Sequence, residues 1–299
     1  MRILVTGGTG FIGTYVVKTL LSEGNTLLLL SRKPEASVSL REMPAVDFIS
    51  GDLAHINIWG HEVERFKPQA AIHLAWESIP DYSARTSVRN LDYGLNLITL
   101  LAEVGCESFI CTGSCWEYGE QSGKLSEDMI PKSANAFTAA KNAFHFLGRE
   151  IAKENNMQFV WTRLFFVYGP GQRETSLIPH IINHVQKGEP PEIKAPSAKN
   201  DFVYVEDVAR AICAIAKRPP KYGVYNIGSG STASVQQIVR TIYDKLSLSD
   251  KYDPANKPVD NFPVDFWGDI SKIKQDFGWE PEIGINEGIQ NVINFILRK

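Results

Sequence analysis

The 299-residue chain holds only four cysteines, Cys106, Cys111, Cys115 and Cys213, and no C-x-x-C pair among them. Such spacing excludes a disulfide framework and fits reduced thiols in a cytosolic protein. A basic surplus is missing too: 31 Lys and Arg stand against 34 Asp and Glu, a formal net charge of −3. Without a basic footprint, nucleic acid is not an expected partner. The apolar run 27–30 is far too short to span a bilayer, so no membrane partner is expected. Met1-Arg2-Ile3-Leu4-Val5 passes straight into a strand pattern, which leaves no room for a signal peptide. Long runs of like charge, repeats and low-complexity stretches are all lacking. A cytoplasmic globular protein is the expectation, and 43% hydrophobic residues suffice for a sizeable core.

What is present is an alternation. Near-continuous apolar runs at 3–6, 26–30, 46–49, 70–74, 109–112 and 159–165 read as strands covered on both faces. Helical periodicity lies between them, first at Ile12, Val16, Val17, Leu20 and Leu21, then over 88–104 and 139–152. The repetition predicts an α/β protein with a doubly wound parallel sheet. After Gly169 prolines punctuate the chain, and a strand at 201–205, a helix at 207–217 and a strand at 224–227 read as a return to the sheet. From Ser234 onward the pattern is mostly amphipathic helix, broken at Gly278-Trp279-Glu280-Pro281. The expected organisation is a dinucleotide domain over 1–168, rejoined by 201–227, and a smaller, mostly helical substrate lobe from 169–200 and 228–299.

Between the first strand and first helix stands Thr6-Gly7-Gly8-Thr9-Gly10-Phe11-Ile12-Gly13. Its glycines permit a tight turn, close approach of backbone to a pyrophosphate, and close helix–strand packing. The free N–H groups of the helix start favour an anion there. In this strand–turn–helix setting the motif predicts a Rossmann-type dinucleotide site that uses Gly7, Thr9, Gly10, Phe11, Ile12 and Gly13. An NAD enzyme usually places an acid at the end of the second strand; here stand Ser31, Arg32 and Lys33, with no carboxylate before Glu35. Arginine offers a planar, charged fork to a 2′-phosphate, so NADP(H) is the expected cofactor and NAD(H) the alternative.

Further along come Gly51-Asp52-Leu53, His73-Leu74-Ala75, Asn90, Gly113-Ser114 with Glu117-Tyr118-Gly119, Lys141, Arg163, Val167-Tyr168-Gly169-Pro170-Gly171, Asp201-Phe202-Val203-Tyr204-Val205-Glu206-Asp207 and Tyr225-Asn226-Ile227-Gly228. In this order the set resembles the extended short-chain dehydrogenase/reductases, the nucleotide-sugar epimerase, dehydratase and reductase group, over nearly the whole chain. The resemblance implies that Asp52 and Leu53 flank an adenine and that Leu74, Ala75 and Trp76 line the dinucleotide. It implies a catalytic Ser114 and a Lys141 that binds the nicotinamide ribose and tunes a catalytic tyrosine. Trp116, Tyr118, Phe166, Arg173 and Asn200 would face a nucleotide-diphosphate sugar, and the helices at 88–104 and 139–152 would build a homodimer.

The chain departs from that pattern at one decisive place. The family's Y-x-x-x-K reads here Phe137-Thr138-Ala139-Ala140-Lys141. A phenyl ring cannot exchange a proton, and loss of such an acid slows hydride transfer by factors of about 10² to 10⁴. Phe137 is then a change made to trap substrate, or another group such as Tyr118, Cys115 or Tyr82 is the acid, or the protein binds without turnover. Dehydratases carry Asp-Glu after the serine, and Cys115-Trp116 stands there instead. Asn200 replaces an arginine and Phe166 an asparagine that many relatives keep. The implied activity is NADPH-dependent reduction of a nucleotide-linked 4-keto-(6-deoxy)sugar at C4, with a 4-epimerase and a non-catalytic binding module as alternatives. His180 and His184 have metal-ligand spacing but no third ligand, and no metal is expected.

Overall fold

A computed structural model describes residues 1–36, 40, 42–193, 195–251 and 265–298. The chain opens with β1 (Arg2–Thr6), α1 (Phe11–Ser22), β2 (Thr26–Ser31), β3 (Val46–Ser50), α2 (Ile56–Phe66) and β4 (Ala70–His73). There follow α3 (Ala84–Glu103), β5 (Ser108–Ser114), β6 (Gly123–Leu125), α4 (Ala136–Glu154), β7 (Gln158–Leu164) and β8 (Phe166–Tyr168). Next are α5 (Leu177–Gln186), β9 (Lys199–Asn200), β10 (Phe202–Tyr204), α6 (Val205–Lys217) and β11 (Tyr222–Ile227). The last elements are β12 (Ala233–Ser234), α7 (Val235–Lys245), β13 (Asp265–Gly268), α8 (Ser271–Phe277) and α9 (Ile285–Leu297). No helix among the described residues is long and apolar enough to cross a membrane.

The elements form two compact units that interleave along the chain. One comprises Met1–Glu120, Glu127–Leu164 and Ala209–Tyr225; the other Gln121–Ser126, Phe165–Val208 and Asn226–Lys299. The first is built on a seven-stranded sheet in the order β11-β7-β5-β4-β1-β2-β3. Its ladders from β3 through β2, β1, β4 and β5 to β7 are all parallel. Leu27, Leu28, Leu29 and Leu30 are all buried, so both faces of β2 are covered and no polar alternation appears. Trp59, Phe109, Phe144, Phe159 and Trp161 fill one core of this unit. Burial of each such side chain contributes about 1.5–3 kcal/mol.

Two packing details fix the helix that carries residues 137 and 141. Asn135 and Thr138 cap α4 reciprocally: Thr138 N–H donates to Asn135 Oδ1 at 3.0 Å and Asn135 N–H to Thr138 Oγ1 at 3.2 Å. A side-chain cap of this kind stabilises a helix by about 1 kcal/mol. Glycine at position 94 lets α3 approach α4 closely, because a Cβ there would lie 2.7 Å from the Phe144 ring.

The second unit holds the ladder β8–β10 and a four-stranded sheet in the order β12-β9-β13-β6. Tyr168, Phe202, Tyr204, Ile181, Ile242 and Ile293 belong to its core. Two sequence expectations need correction here. The strand read at 201–205 does not rejoin the main sheet: Phe202, Val203 and Tyr204 pair in parallel with Phe166, Val167 and Tyr168. The outer edge of β7 is taken by β11, and Val205 already begins α6. The C-terminal stretch also contains a strand, β13, that pairs in parallel with β6. Only Phe266 and Trp267 of its four residues are large and apolar, too few to register as a covered strand, and its partner lies far away in sequence. Residues 252–264, within the stretch read as mostly helix, lie outside the described residues.

Candidate active site

Parallel strands bring the C-terminal ends of β1, β2, β4 and β5 to one edge of the first unit, where ligands of such sheets sit. The turn after β1 is held by Gly10 N–H donating to the Gly7 carbonyl at 3.0 Å. Gly7 has φ +74°, and a Cβ there would lie 2.7 Å from the backbone N of Ala75. A Cβ on Gly13 would collide with the Gly7 carbonyl oxygen. Gly10 caps α1 without a side-chain hydrogen bond, and no acid occupies the first turn. The helix start therefore keeps its N–H groups and positive dipole end available to an anion. Strand-end glycines that no larger residue can replace, beside an uncapped helix start, fit a dinucleotide.

Leu74 N–H donates to the Thr6 carbonyl at 3.0 Å, which brings Leu74 and Ala75 against the glycine turn. At the end of β2, Ser31 is buried and its Oγ accepts from Lys33 N–H at 3.2 Å, while Arg32 and Lys33 are exposed. Asp52 caps a short turn, its Oδ1 accepting from Ala54 N–H at 2.7 Å. Leu53 packs half-buried against the core cluster of this unit.

Around residue 137 the unit builds an aromatic box. Phe137 is only 6% exposed. Its ring centroid lies 5.1 Å from Trp76, 5.0 Å from Tyr82 and 6.4 Å from Trp116. One turn along α4, Lys141 is 5% exposed rather than the helix-surface lysine its sequence context suggests. Its Nζ donates to the Thr112 carbonyl at 2.6 Å and lies 4.2 Å from the Trp76 ring centroid. Burial holds its pKa below the ordinary lysine value. His73, beneath, shares a 2.7 Å hydrogen bond between Nδ1 and Thr6 Oγ1. Burial, aided by the Lys141 charge, pushes that ring down to about 3, so it is neutral near pH 7.

Ser114 ends β5 and caps a 3₁₀ turn, Cys115–Tyr118: its Oγ accepts from Trp116 N–H at 3.2 Å. The Ser114 N–H donates to Glu117 Oε1 at 2.7 Å. Glu117 is wholly buried, and its Oε2 also accepts from Trp161 Nε1 and Arg163 Nε, each at 3.0 Å. This carboxylate ties the serine turn to β7. No role was expected of it, although a lone arginine inside the apolar run 159–165 was a signal that some buried acid must answer it.

The same packing overturns one expectation. Tyr118 is wholly buried beneath the Arg163 guanidinium, 4.5 Å from its ring centroid, and cannot face a substrate. Cys115 is buried as well, whereas Trp116 is exposed beside Tyr82, 5.6 Å between ring centroids.

The first unit thus gathers Gly7 to Gly13, Leu74, Ala75, Trp76, Ser114, Trp116, Phe137 and Lys141. Phe166, Arg173 and Asn200 belong to the second unit. There Phe166 N–H donates to the Asp201 carbonyl at 3.0 Å, and its ring lies 5.9 Å from Phe266. Asn200 pairs in register with that same Phe266, and Arg173 is exposed in the turn before α5. His180 and His184 stack at 4.1 Å, and no metal-binding cluster occurs among the described residues.

Comparison with known proteins identifies the family. A UDP-glucuronate 4-epimerase of Thermodesulfobacterium geofontis is 28% identical, the match covering 98% of this chain and 95% of that protein. A dTDP-4-dehydro-6-deoxyglucose reductase of Escherichia coli is 26% identical over 98% of this chain and 97% of its own length. The solved structure of MoeE5 in complex with UDP-glucuronic acid and NAD superposes with a TM-score of 0.85 and 27% identity, covering 100% of this chain and 99% of that one. Residues 3–228 match the NAD dependent epimerase/dehydratase family. With the glycine cradle, the parallel sheet and the match over most of its length, the chain belongs to that family, among the extended short-chain dehydrogenase/reductases.

Proposed function

We propose that this protein reduces the C4 ketone of a nucleotide-linked 4-keto-(6-deoxy)sugar, with NADPH as the reductant. The observation that carries the reading is the end of β2. Arg32 and Lys33 stand exposed there, and no carboxylate follows β2 in the sequence before Glu35. A cofactor with a 2′-phosphate suits net reduction, whereas a 4-epimerase oxidises and re-reduces the same sugar on NAD held throughout. The bound nicotinamide supplies the hydride.

The chain's own residues do the rest. Gly7, Thr9, Gly10, Phe11, Ile12 and Gly13 hold the pyrophosphate, and Asp52 and Leu53 meet the adenine. Leu74, Ala75 and Trp76 line the dinucleotide's centre. Ser114 offers its hydroxyl to the ketone oxygen. Lys141 holds the nicotinamide ribose and places a positive charge beside the site. Cys115-Trp116 supplies no acid–base pair for eliminating water. Trp116 is proposed to stack on the sugar, and Phe166, Arg173 and Asn200, in a lobe that binds substrate, to contact the nucleotide.

The 4-epimerase remains the second reading, supported by the 28% identical epimerase relative. Stoichiometry separates the two. Incubation with NADPH and a panel of nucleotide 4-keto-6-deoxyhexoses is expected to consume one NADPH per sugar reduced. Interconversion of two 4-hydroxy sugars without net cofactor change would favour the epimerase instead. We also propose a cytoplasmic homodimer, for which Val88 on α3 and Phe146 and Leu147 on α4 supply exposed apolar surface.

A further inference from the structure

Reduction of a ketone needs a proton as well as a hydride, and position 137 cannot give one. We propose that Tyr82 is the proton donor, its phenol brought to the site by the segment between β4 and α3 instead of by α4. The inference rests on the proposed reduction and adds its missing acid.

The geometry carries it. The Tyr82 ring lies against Phe137, 5.0 Å between centroids at 57°, and 5.6 Å from Trp116, two residues after Ser114. Phe137 in turn meets Trp76, on whose face the Lys141 ammonium rests. A phenol is therefore one ring away from position 137, among the same residues.

The segment that bears it is tied down at both ends. Ser83 N–H donates to Asp81 Oδ1 at 2.9 Å, and Thr86 Oγ1 donates to Asp81 Oδ2 at 2.6 Å. Glu77 N–H donates to Asn90 Oδ1 at 2.8 Å. Tyr82 is half-buried, so water reaches it, and no described residue hydrogen-bonds its hydroxyl.

The other proton-bearing groups nearby are engaged or enclosed. Tyr118 is wholly buried and its hydroxyl is bound to Arg163. Cys115 is buried. Lys141 Nζ donates one hydrogen bond to the Thr112 carbonyl and rests on the Trp76 face, and its remaining N–H groups are the ones proposed to hold the nicotinamide ribose.

A bound reduced nicotinamide would supply the hydride for the new C4–H bond, its own C–H bond breaking to leave the oxidised cofactor. The ketone π pair moves onto oxygen and takes the proton as the Tyr82 O–H bond breaks. The phenolate left behind recovers a proton from water.

Tyr82→Phe keeps the ring and removes only the hydroxyl, so the aromatic packing survives. The test compares the parent, Tyr82→Phe, Phe137→Tyr and the double variant, each assayed for NADPH oxidation with the 4-keto sugar panel and for NADPH binding by fluorescence titration. The parent is expected to turn over, and Tyr82→Phe to lose kcat by about 10² to 10⁴ with NADPH affinity and KM unchanged. The double variant, which moves the hydroxyl to residue 137, is expected to regain most of that kcat; a packing defect would not be repaired this way. Parent-like kcat in Tyr82→Phe, or no recovery in the double variant, overturns the proposal. An inactive parent beside an active Phe137→Tyr overturns it too but leaves the reduction standing. Silence from all four proteins across the panel overturns both.

Discussion

Arg32 is exposed, so its worth to the apoprotein is small and its worth to a bound 2′-phosphate is open to direct measurement. Arg32→Ala is expected to weaken NADPH by about 1.5–3 kcal/mol, the range of a hydrogen bond to a charged group, and to leave NADH unchanged. Titration of both cofactors into both proteins checks this, and equal affinity of the parent for the two would sink the NADP(H) reading. Buried histidines make a second residue-scale prediction. His145 shares a 2.9 Å hydrogen bond between Nε2 and the Tyr222 hydroxyl and stacks on Trp161 at 5.0 Å. Burial, helped by the charges of Arg163 and Arg149, drives its pKa down to about 3 from the ordinary 6.5. Between those values the unfolded chain binds a proton that the folded chain refuses. The contribution is therefore fully present above pH 6.5 and is lost as pH falls toward about 3. His145→Phe keeps the stack, so its urea-unfolding free energy is expected to fall less steeply between pH 6.5 and 5, by up to about 1.4 kcal/mol per pH unit. Identical slopes in the two proteins would refute the assignment. At this scale the glycines of the turn after β1 were legible, because backbone approach is written in residue type. Glu117 was not: its three donors come from residues 114, 161 and 163, and no local pattern joins them.

At the scale of elements, α1 and the turn before it act as one part. Gly13→Ala drives a methyl group into the Gly7 carbonyl oxygen, so the turn must open and the helix start must move. NADPH affinity is expected to fall at least about a hundredfold, equivalent to roughly 3 kcal/mol, while far-ultraviolet circular dichroism stays like the parent's. Calorimetric titration reads the first and would contradict it by finding parent-like affinity. The element order in the first unit followed from the sequence because fully covered strands and amphipathic helices carry distinct periodicities. β10 and β13 were misplaced or missed because short strands draw their identity from partners. β10 pairs with β8, and β13 with β6 and β9.

For the whole molecule the open matter is assembly. Phe146 and Leu147 on α4 are 46% and 49% exposed, more apolar surface than an isolated helix face needs. Leu147→Glu would bury two like charges at a two-fold contact, and is expected to convert a dimer into a monomer at micromolar concentration. Light scattering of both proteins decides it, and a monomeric parent would refute the proposed dimer. Alternation of strand and helix and the glycine cradle determined an α/β protein of the NAD dependent epimerase/dehydratase family from the sequence by itself. Each of those signals is local: it rests on periodicity or on what a side chain permits its own backbone to do. Only the tertiary structure decided that Lys141 is buried against Trp76, that Glu117 anchors the serine turn, and that Tyr82 lies on Phe137. Those contacts join residues tens of positions apart, or residues whose side-chain directions are set by cap and turn, and chain separation erases any periodic trace of them.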